Sequence, residues 1–298
     1  FSKNSFQNIN LPFIEKRKIY YIISVLFIAA GIASIATKGF NFGVDFDGGR
    51  TYVVQFEKSL TTEEIRTSLT KNLGEAPDVK TFGTDNRYKI TTDYLINDEN
   101  NAEAEAKVTA ALFEGVKGFY PAGLTLEKFK ADNIINSQKV GATVADDIKT
   151  SAVWAILFAC VLMFIYILLR FKKWQYGLGA TAALFHDVLM ILSIYSIFNG
   201  ILPFTLEINQ DFIAALLTVM GYSMTDTVVV FDRIREYVGM HPNLNQKEVI
   251  NNALNATLSR TMNTSLITFF VLLAIFIFGG DVIRGFSFAL LVGIVVGT

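Results

Sequence analysis

Long runs of apolar residues almost free of charge constrain this chain more than any other feature, because a helix needs roughly 20 such residues to cross the hydrocarbon core of a bilayer. Six can be drawn, at 19–37, 151–169, 177–198, 212–231, 266–278 and 283–298. The fifth is short as drawn and is expected to extend back through Asn263 toward Arg260; the sixth is still open at Thr298. Composition agrees: 52% of residues are hydrophobic and 18% charged, an apolar excess unlike that of a soluble globular domain. A net charge of -1 gives no basic excess of the kind that binds nucleic acid. The first run lacks a small-residue cleavage site followed by a soluble remainder, so it is not a signal peptide. Phe1 in place of an initiator Met, and the apolar run open at the other end, point to a fragment of something longer. Cys160, the single cysteine, lies inside the second run and is expected to be a small packing residue without a redox role.

Positive charge sets the orientation. Lys16, Arg17 and Lys18 precede the first run, Arg170, Lys172 and Lys173 follow the second, and Arg233, Arg235 and Lys247 follow the fourth. If the spans alternate, all three clusters face one side, which the positive-inside rule makes the cytoplasm. Residues 1–18 are then a cytoplasmic lead-in, 19–37 the first span, 38–131 an outside domain, 132–150 a linker or hinge, and 151–298 spans two to six, with a cytoplasmic loop near 232–260. In that loop 244–258 is partly amphipathic through Leu244, Val249, Ala253 and Leu254, as suits a helix lying on the membrane surface.

The outside stretch changes its apolar period in a definite order. Residues 50–56 are β-branched and aromatic, and 61–73 read as a helix opened by Thr61 and Glu64 at capping-box spacing. Residues 79–82 and 88–92 read as short strands around the turn residues Gly83, Asp85 and Asn86. A second helix over 102–119 repeats Val108, Leu112 and Val116, and 124–129 alternates like a strand. The order βαββαβ is the ferredoxin-like pattern. The expected architecture is therefore an α-helical polytopic membrane protein of six spans with one α+β ferredoxin-like outside domain.

Ionisable residues inside spans are costly, about 2.5–3.5 kcal/mol on insertion scales, and so need a reason. Asp226 stands in the fourth run among Gly221, Ser223, Thr225 and Thr227. It is either a proton carrier or a polar tie between helices. Arg260, just before the fifth run, is either a counter-ion or a snorkelling anchor. Asp187 and His186, adjacent in the third run, are relay candidates or structural hydrogen-bonding groups; neighbouring helix positions point about 100° apart, so the pair is not expected to line one narrow path. Asp232, Arg233, Arg235 and Glu236 read as topology and interface residues at a helix C-terminus. Ala29 with Ala33, and Gly293 with Gly297, have the small-xxx-small spacing of close helix packing. Asp45 and Asp47 lack further oxygen ligands at calcium-loop spacing and read as part of a structural turn.

The stretch Phe42, Gly43, Val44, Asp45, Phe46, Asp47, Gly48, Gly49 directly after the first run resembles the signature that opens the first extracytoplasmic domain in SecD and SecF proteins. The block from Gly221 through Asp226 to Glu236 is similar to that family's fourth-span motif, 278–298 to its last span, and His186 and Asp187 also match. Six spans with one large loop after the first resemble the SecF family, free or as the SecF half of a fused SecDF. The resemblance implies a member of the resistance-nodulation-division superfamily in the bacterial cytoplasmic (inner) membrane. It implies an accessory that uses proton motive force to help draw unfolded preproteins outward after the ATP-driven stage. SecD, separate or fused, would be the partner, with the SecYEG channel and, more remotely, YajC and YidC. Asp226, Arg260, Asp187 and His186 would carry the proton coupling, Arg260 facing Asp226, while Gly43, Asp45, Gly48 and Gly49 would mark the domain entrance. The family commonly has an aspartate after the arginine that opens the last span, whereas Gly285 follows Arg284 here. Asp281 is a loop acid or takes over part of that duty. Two other classes stay open: half of a proton-driven small-molecule or lipid exporter, which would carry a second large loop after the third span, and a scaffold subunit that moves nothing. An enzyme is not expected, nor a cofactor or metal, since neither ligand spacing nor a nucleophile motif is present.

Overall fold

The computed structural model describes residues 10–298 except 97, 99, 100, 203 and 281. In chain order it contains α1 (Phe13–Lys38), α2 (Val44–Asp47), β1 (Gly49–Gln55), α3 (Thr62–Leu73), β2 (Asp78–Phe82), β3 (Thr84–Thr92), α4 (Asn101–Val116), α5 (Leu126–Lys128), β4 (Ile134–Val140), α6 (Ala142–Phe171), α7 (Trp174–Phe198), α8 (Gln210–Met240), α9 (Gln246–Phe278) and α10 (Arg284–Gly297). Two compact units result. One is helical and comprises residues up to 40, 154–198 and 211–298; the other is α/β and comprises 41–153 and 199–210.

In the helical unit α1, α6, α7, α8 and α9 are long and apolar enough to cross a membrane. The sixth run appears as α10, an apolar helix of 14 residues, about 21 Å at 1.5 Å per residue. Helix directions can be read from contacts. Ser24 meets His186 and Ser34 meets Ser196 at the same offset of 162 residues, so α1 and α7 run parallel. Between those contacts a Cβ on Gly31 would lie 1.9 Å from Ser193 Oγ, so only glycine allows the two helices to close. Ala29 and Ala33, by contrast, are exposed. Gly293 lies against Val219, and Gly297, one turn on, against Ser223, one turn on, so α10 runs parallel to α8. The small-residue spacing of Gly293 and Gly297 thus serves packing within this chain.

Two corrections concern the same end of this unit. Instead of a surface helix followed by a separate span, α9 is one helix of 33 residues that absorbs the amphipathic 244–258 stretch. The loop expected over 232–260 shrinks to the five residues between Met240 and Gln246. Asn245 starts α9, its side chain accepting from the Lys247 amide at 3.0 Å. On the same helix Asn255 brackets the backbone of Leu11, accepting from its amide at 2.8 Å and donating to its carbonyl at 3.0 Å. Asn251 adds a donor to the same carbonyl at 3.1 Å. The lead-in to α1 is therefore held by α9.

The α/β unit is built on a four-stranded antiparallel sheet in the order β2-β3-β1-β4. Helix α3 begins with the expected capping box: Thr61 Oγ1 accepts from the Glu64 amide and Glu64 Oε2 accepts from the Thr61 amide at 2.8 Å. Those bonds hold the Glu64 carboxyl below its ordinary range. Ile65, Leu69 and Leu73 of α3 and Val108, Leu112 and Val116 of α4 pack on Tyr52, Val54, Tyr88 and Ile90 of the sheet. The strand expected at 124–129 is not there. That stretch is the single turn α5, followed by a π-helical turn that buries Phe129. The fourth strand is β4, inside the stretch expected to be a linker over 132–150, and the remainder of that stretch begins α6. Its polar residues Asn136, Ser137 and Gln138 disguised it: β4 is an edge strand whose pairing with β1 is made by backbone while these middle side chains are exposed and only its ends, Ile134 and Val140, reach apolar clusters.

Residues 199–210, a short loop in sequence, belong to this unit as well. Glu207 forms an ion pair with Lys89 of β3, the two side chains 10% and 16% exposed. Leaving either charge alone at such a site is costly. Glu207→Gln should lower the stability of the α/β unit by about 2 kcal/mol, less than the 3–5 typical of fully buried pairs because some water reaches this one. The exchange Lys89→Glu with Glu207→Lys should recover part of that loss, as measured by thermal unfolding or protease resistance in detergent.

Candidate intramembrane site and domain entrance

Two polar constellations stand out, one in each unit. Within the helical unit Asp187 of α7 is 4% exposed. Its Oδ2 accepts from Ser223 Oγ of α8 at 2.6 Å, and its Oδ1 lies 3.0 Å from Nδ1 of His186. The other imidazole nitrogen, Nε2, lies 3.0 Å from Ser24 Oγ of α1. With Asp187 ionised and the imidazole neutral, Nδ1 donates to the carboxylate and Nε2 accepts from the serine hydroxyl. Adjacent helix positions diverge at Cβ, yet His186 and Asp187 touch because the imidazole turns back on its torsions. The expectation that the pair would not share a path is thereby overturned: Ser24, His186, Asp187 and Ser223 form one line of hydrogen bonds across three helices. Small residues make room for it. A Cβ on Gly297 would sit 3.3 Å from Asp187 Oδ2 and 2.9 Å from Ser223 Cβ.

One turn beyond Ser223, α8 presents Asp226. Its electrostatic neighbours are Arg260 and the Ser265 hydroxyl of α9. Its Oδ2 is buried and has no hydrogen-bond partner among the described residues. Along α9 the polar groups Thr257, Thr261 and Ser265 recur every fourth residue and are buried, and Thr261 Oγ1 also lacks a partner among the described residues. Ser265 Oγ is 2.8 Å from Thr298 Oγ1 and accepts from the Tyr222 hydroxyl at 3.4 Å. The structure thus joins Asp187 to His186 by a hydrogen bond and puts Arg260 within electrostatic reach of Asp226, about one turn along α8 from Ser223. The carbonyl of Gly285, where the family pattern has an aspartate, accepts from the Tyr195 hydroxyl at 2.7 Å. Asp281 lies outside the described residues. Asp232 pairs with Arg170 at 2.8 Å and with Arg235 at 2.9 Å, and Arg233 with Glu236 at 2.7 Å, so the charged end of α8 is tied to the end of α6.

In the α/β unit Gly48, which follows α2, and Gly49, the first residue of β1, have φ of +77° and +116°. Both values lie where side chains are strained, and a Cβ on Gly49 would also come within 2.8 Å of Asp93 Oδ1. This pair is what turns the chain from α2 into the central strand. Just beyond it Arg50, 1% exposed, is paired with Glu105 of α4, whose other oxygen accepts from the Tyr52 hydroxyl at 2.9 Å. Burial, then the Glu105 carboxylate, push the Tyr52 phenol well above its ordinary value and keep it a donor. Sequence reasoning passed over Arg50, taken only as the first residue of a strand, and over Ser24, a neutral hydroxyl in an apolar run. Burial of an arginine cannot be inferred from local pattern; a serine three positions from any other polar residue on a span is a faint signal at best.

The chain matches the family model described as protein export membrane protein SecD/SecF, C-terminal, over residues 124–298, and the SecD/SecF GG motif over 33–59. It is 42% identical over 293 residues to the protein translocase subunit SecF of Rhodothermus marinus, covering 98% of this chain and 90% of that one. The chain belongs to the SecF family. The protein translocase subunit SecF of Haemophilus influenzae is 37% identical over 287 residues, covering 96% of this chain and 81% of its own length. Among solved structures, SecDF of Thermus thermophilus, described as a translocon-associated membrane protein, matches with a TM-score of 0.81 and 29% identity. That match covers 98% of this chain, which spans 37% of the SecDF chain. With its apolar helices, membership of the SecF family makes this a multi-pass membrane protein. The GG motif of the family is the Gly48–Gly49 turn, so its conformation yields a direct test. Gly49→Ala should destabilise the α/β unit by about 1–3 kcal/mol through backbone strain and the contact with Asp93, lowering its unfolding temperature, whereas Gly118→Ala, at a position with open space and no such φ, should leave it nearly unchanged.

Proposed function

We propose that this chain is the SecF subunit of the bacterial Sec translocase, working with SecD, separate or fused, beside the SecYEG channel. It helps preproteins leave the cytoplasmic membrane after the ATP-driven stage, drawing on the proton motive force. The observation that carries the proton-coupling part is Asp226: a buried carboxylate oxygen without a donor, on a helix facing the Arg260 cation. An ionised Asp226 balances Arg260; a protonated one leaves that cation without its counter-charge. Helices α8 and α9 therefore have two electrostatically distinct packings, and each proton bound or released favours one of them. The Ser24, His186, Asp187, Ser223 line reaches α8 one turn away and is the route we assign to protons arriving from the α1 side.

The topology fits this reading. The parallel pairs α1 with α7 and α8 with α10 are those that alternate crossings require, which supports taking α10 as a sixth span despite its length. With the basic clusters inside, the α/β unit is periplasmic. Its element order and the β2-β3-β1-β4 sheet support a ferredoxin-like fold. A transporter half-unit with a second large outside loop is disfavoured, because the α7–α8 connection is short and folded into the one α/β unit.

The test is secretion of a slow reporter preprotein in cells whose only SecF carries Asp226→Asn, with membrane abundance and SecD association measured in parallel. The expected outcome is secretion at the level of a SecF deletion with normal assembly. Unchanged secretion would leave a scaffold that moves nothing as the better reading. Arg260→Lys should also fail, since an ammonium on a shorter reach does not replace a guanidinium fork facing a carboxylate; tolerance of lysine would make Arg260 an anchor.

A further inference from the structure

We infer that Thr261 of α9 is a positioning residue for Asp226 of α8: its hydroxyl accepts the hydrogen bond that the protonated carboxyl must make. This deepens the proton-carrier reading and rests on it. A threonine inside a helix commonly returns its hydroxyl proton to a carbonyl of its own preceding turn. In α8, Thr218, Thr225 and Thr227 do so at 2.8, 3.0 and 3.0 Å. In α9, Thr257, Thr264 and Thr268 do the same at 2.8, 2.9 and 3.0 Å. Thr261, 8% exposed, departs from them, since its Oγ1 is buried without a partner among the described residues. Asp226 Oδ2 is buried and unpartnered in the same sense.

The register of the two helices puts these atoms at one level. Near their connection, Tyr237 and Met240 of α8 line one cavity with Val249 and Asn252 of α9. Farther from it, the Tyr222 hydroxyl of α8 reaches Ser265 of α9. Numbers that fall along one helix rise along the other, so the seam between α8 and α9 is antiparallel. One turn from Tyr222 toward the connection is Asp226, and one turn from Ser265 the same way is Thr261. The two α9 groups that act on Asp226, Arg260 and Ser265, bracket Thr261 in agreement with that register. Arg260 is the charged group that α9 turns on Asp226. From α7, His186 and Asp187 engage Ser223 a turn away, and α10 meets this level with the uncharged Gly297 and Thr298.

The chemistry follows from what each state needs. Ionised Asp226 has the Arg260 cation. Once a proton settles on Oδ2, the new O–H is a buried donor, and leaving it unbonded in hydrocarbon is costly. The neighbouring Ser265 hydroxyl already accepts from Tyr222 and meets Thr298. Thr261 Oγ1 accepts from Oδ2 instead. Its own proton then turns to the carbonyl of Thr257 or Leu258, the kind of bond that Thr257 and Thr264 already make to their preceding turns. Threonine suits this task because its χ1 divides between two rotamers in a helix.

The test is an infrared pH titration of the full protein in bilayers, following the protonated-carboxyl band that Asp226→Asn removes. Thr261→Val keeps the shape of the side chain and deletes the acceptor. The acid form then loses support, so the pH of half-protonation should fall by about 0.5–1 unit, a roughly threefold to tenfold weaker proton affinity, the size of one hydrogen bond. Thr261→Ser restores the hydroxyl and should titrate like wild type. Thr268→Val, at a hydroxyl already bonded to its own helix, should do so too. An unmoved midpoint in Thr261→Val would overturn the inference, and so would an upward shift, which would mean that the hydroxyl serves the ionised form. Equal displacement in Thr261→Ser and Thr261→Val would overturn it as well, by showing a packing effect. If no band separates wild type from Asp226→Asn, the proton-carrier reading fails and takes this inference with it. A band that is present but indifferent to Thr261→Val sinks the role of Thr261 alone.

Discussion

Inside hydrocarbon a backbone amide has no water to bond, so each crossing segment must satisfy itself as a helix, and any polar side chain it carries must find a partner on another helix. In the helical unit several polar groups do so, while others, such as Thr218, Thr227 and Thr268, donate to carbonyls of their own helix. Ser34 meets Ser196, Ser24 meets His186, His186 meets Asp187, and Asp187 meets Ser223. These contacts, with the glycines that let the helices close, set the direction and register of α1, α7, α8 and α10. Among the buried side-chain atoms without a hydrogen-bond partner among the described residues are Asp226 Oδ2 and Thr261 Oγ1. On the proposed reading these are the groups whose partners change during the working cycle.

The helices of the α8–α9 seam are also the longest in the chain. Helix α8 runs past Asp226 to the charged end at Asp232, which pairs with Arg170. Helix α9 runs from the Asn251 and Asn255 contacts with Leu11 through Arg260 to Phe278. On the proposed reading, a change in the attraction between Asp226 and Arg260 acts on two long helical rods. Neither rod is interrupted by proline or by a described break, so small displacements at the seam need not be lost in flexible joints.

Much of this was legible before any coordinates. Each of the runs at 19–37, 151–169, 177–198 and 212–231 lies inside one helix, α1, α6, α7 and α8, although α6 starts and α8 ends nine residues beyond its run, and the Thr61 and Glu64 pair located the start of α3. Asp226, Arg260, Asp187 and His186 were conspicuous because charge is rare inside spans. What could not be read depended on partners distant in sequence. β4 looked like a linker because an edge strand held by backbone pairing has no need of an apolar face. The amphipathic 244–258 stretch looked separate because its polar asparagines serve Leu11, more than two hundred residues away. Asp45 looked like part of a turn because the two donors to its carboxylate, the Gln138 side chain and the Gln210 amide, lie on elements whose proximity no local pattern encodes.

The account depends on Asp226 binding and releasing a proton. The infrared difference spectrum between acid and alkaline buffer, recorded on the full protein in bilayers for wild type and Asp226→Asn, measures this directly. The account predicts a protonated-carboxyl band in wild type that vanishes reversibly on alkalinisation and is missing from Asp226→Asn. Identical difference spectra for the two proteins would contradict it.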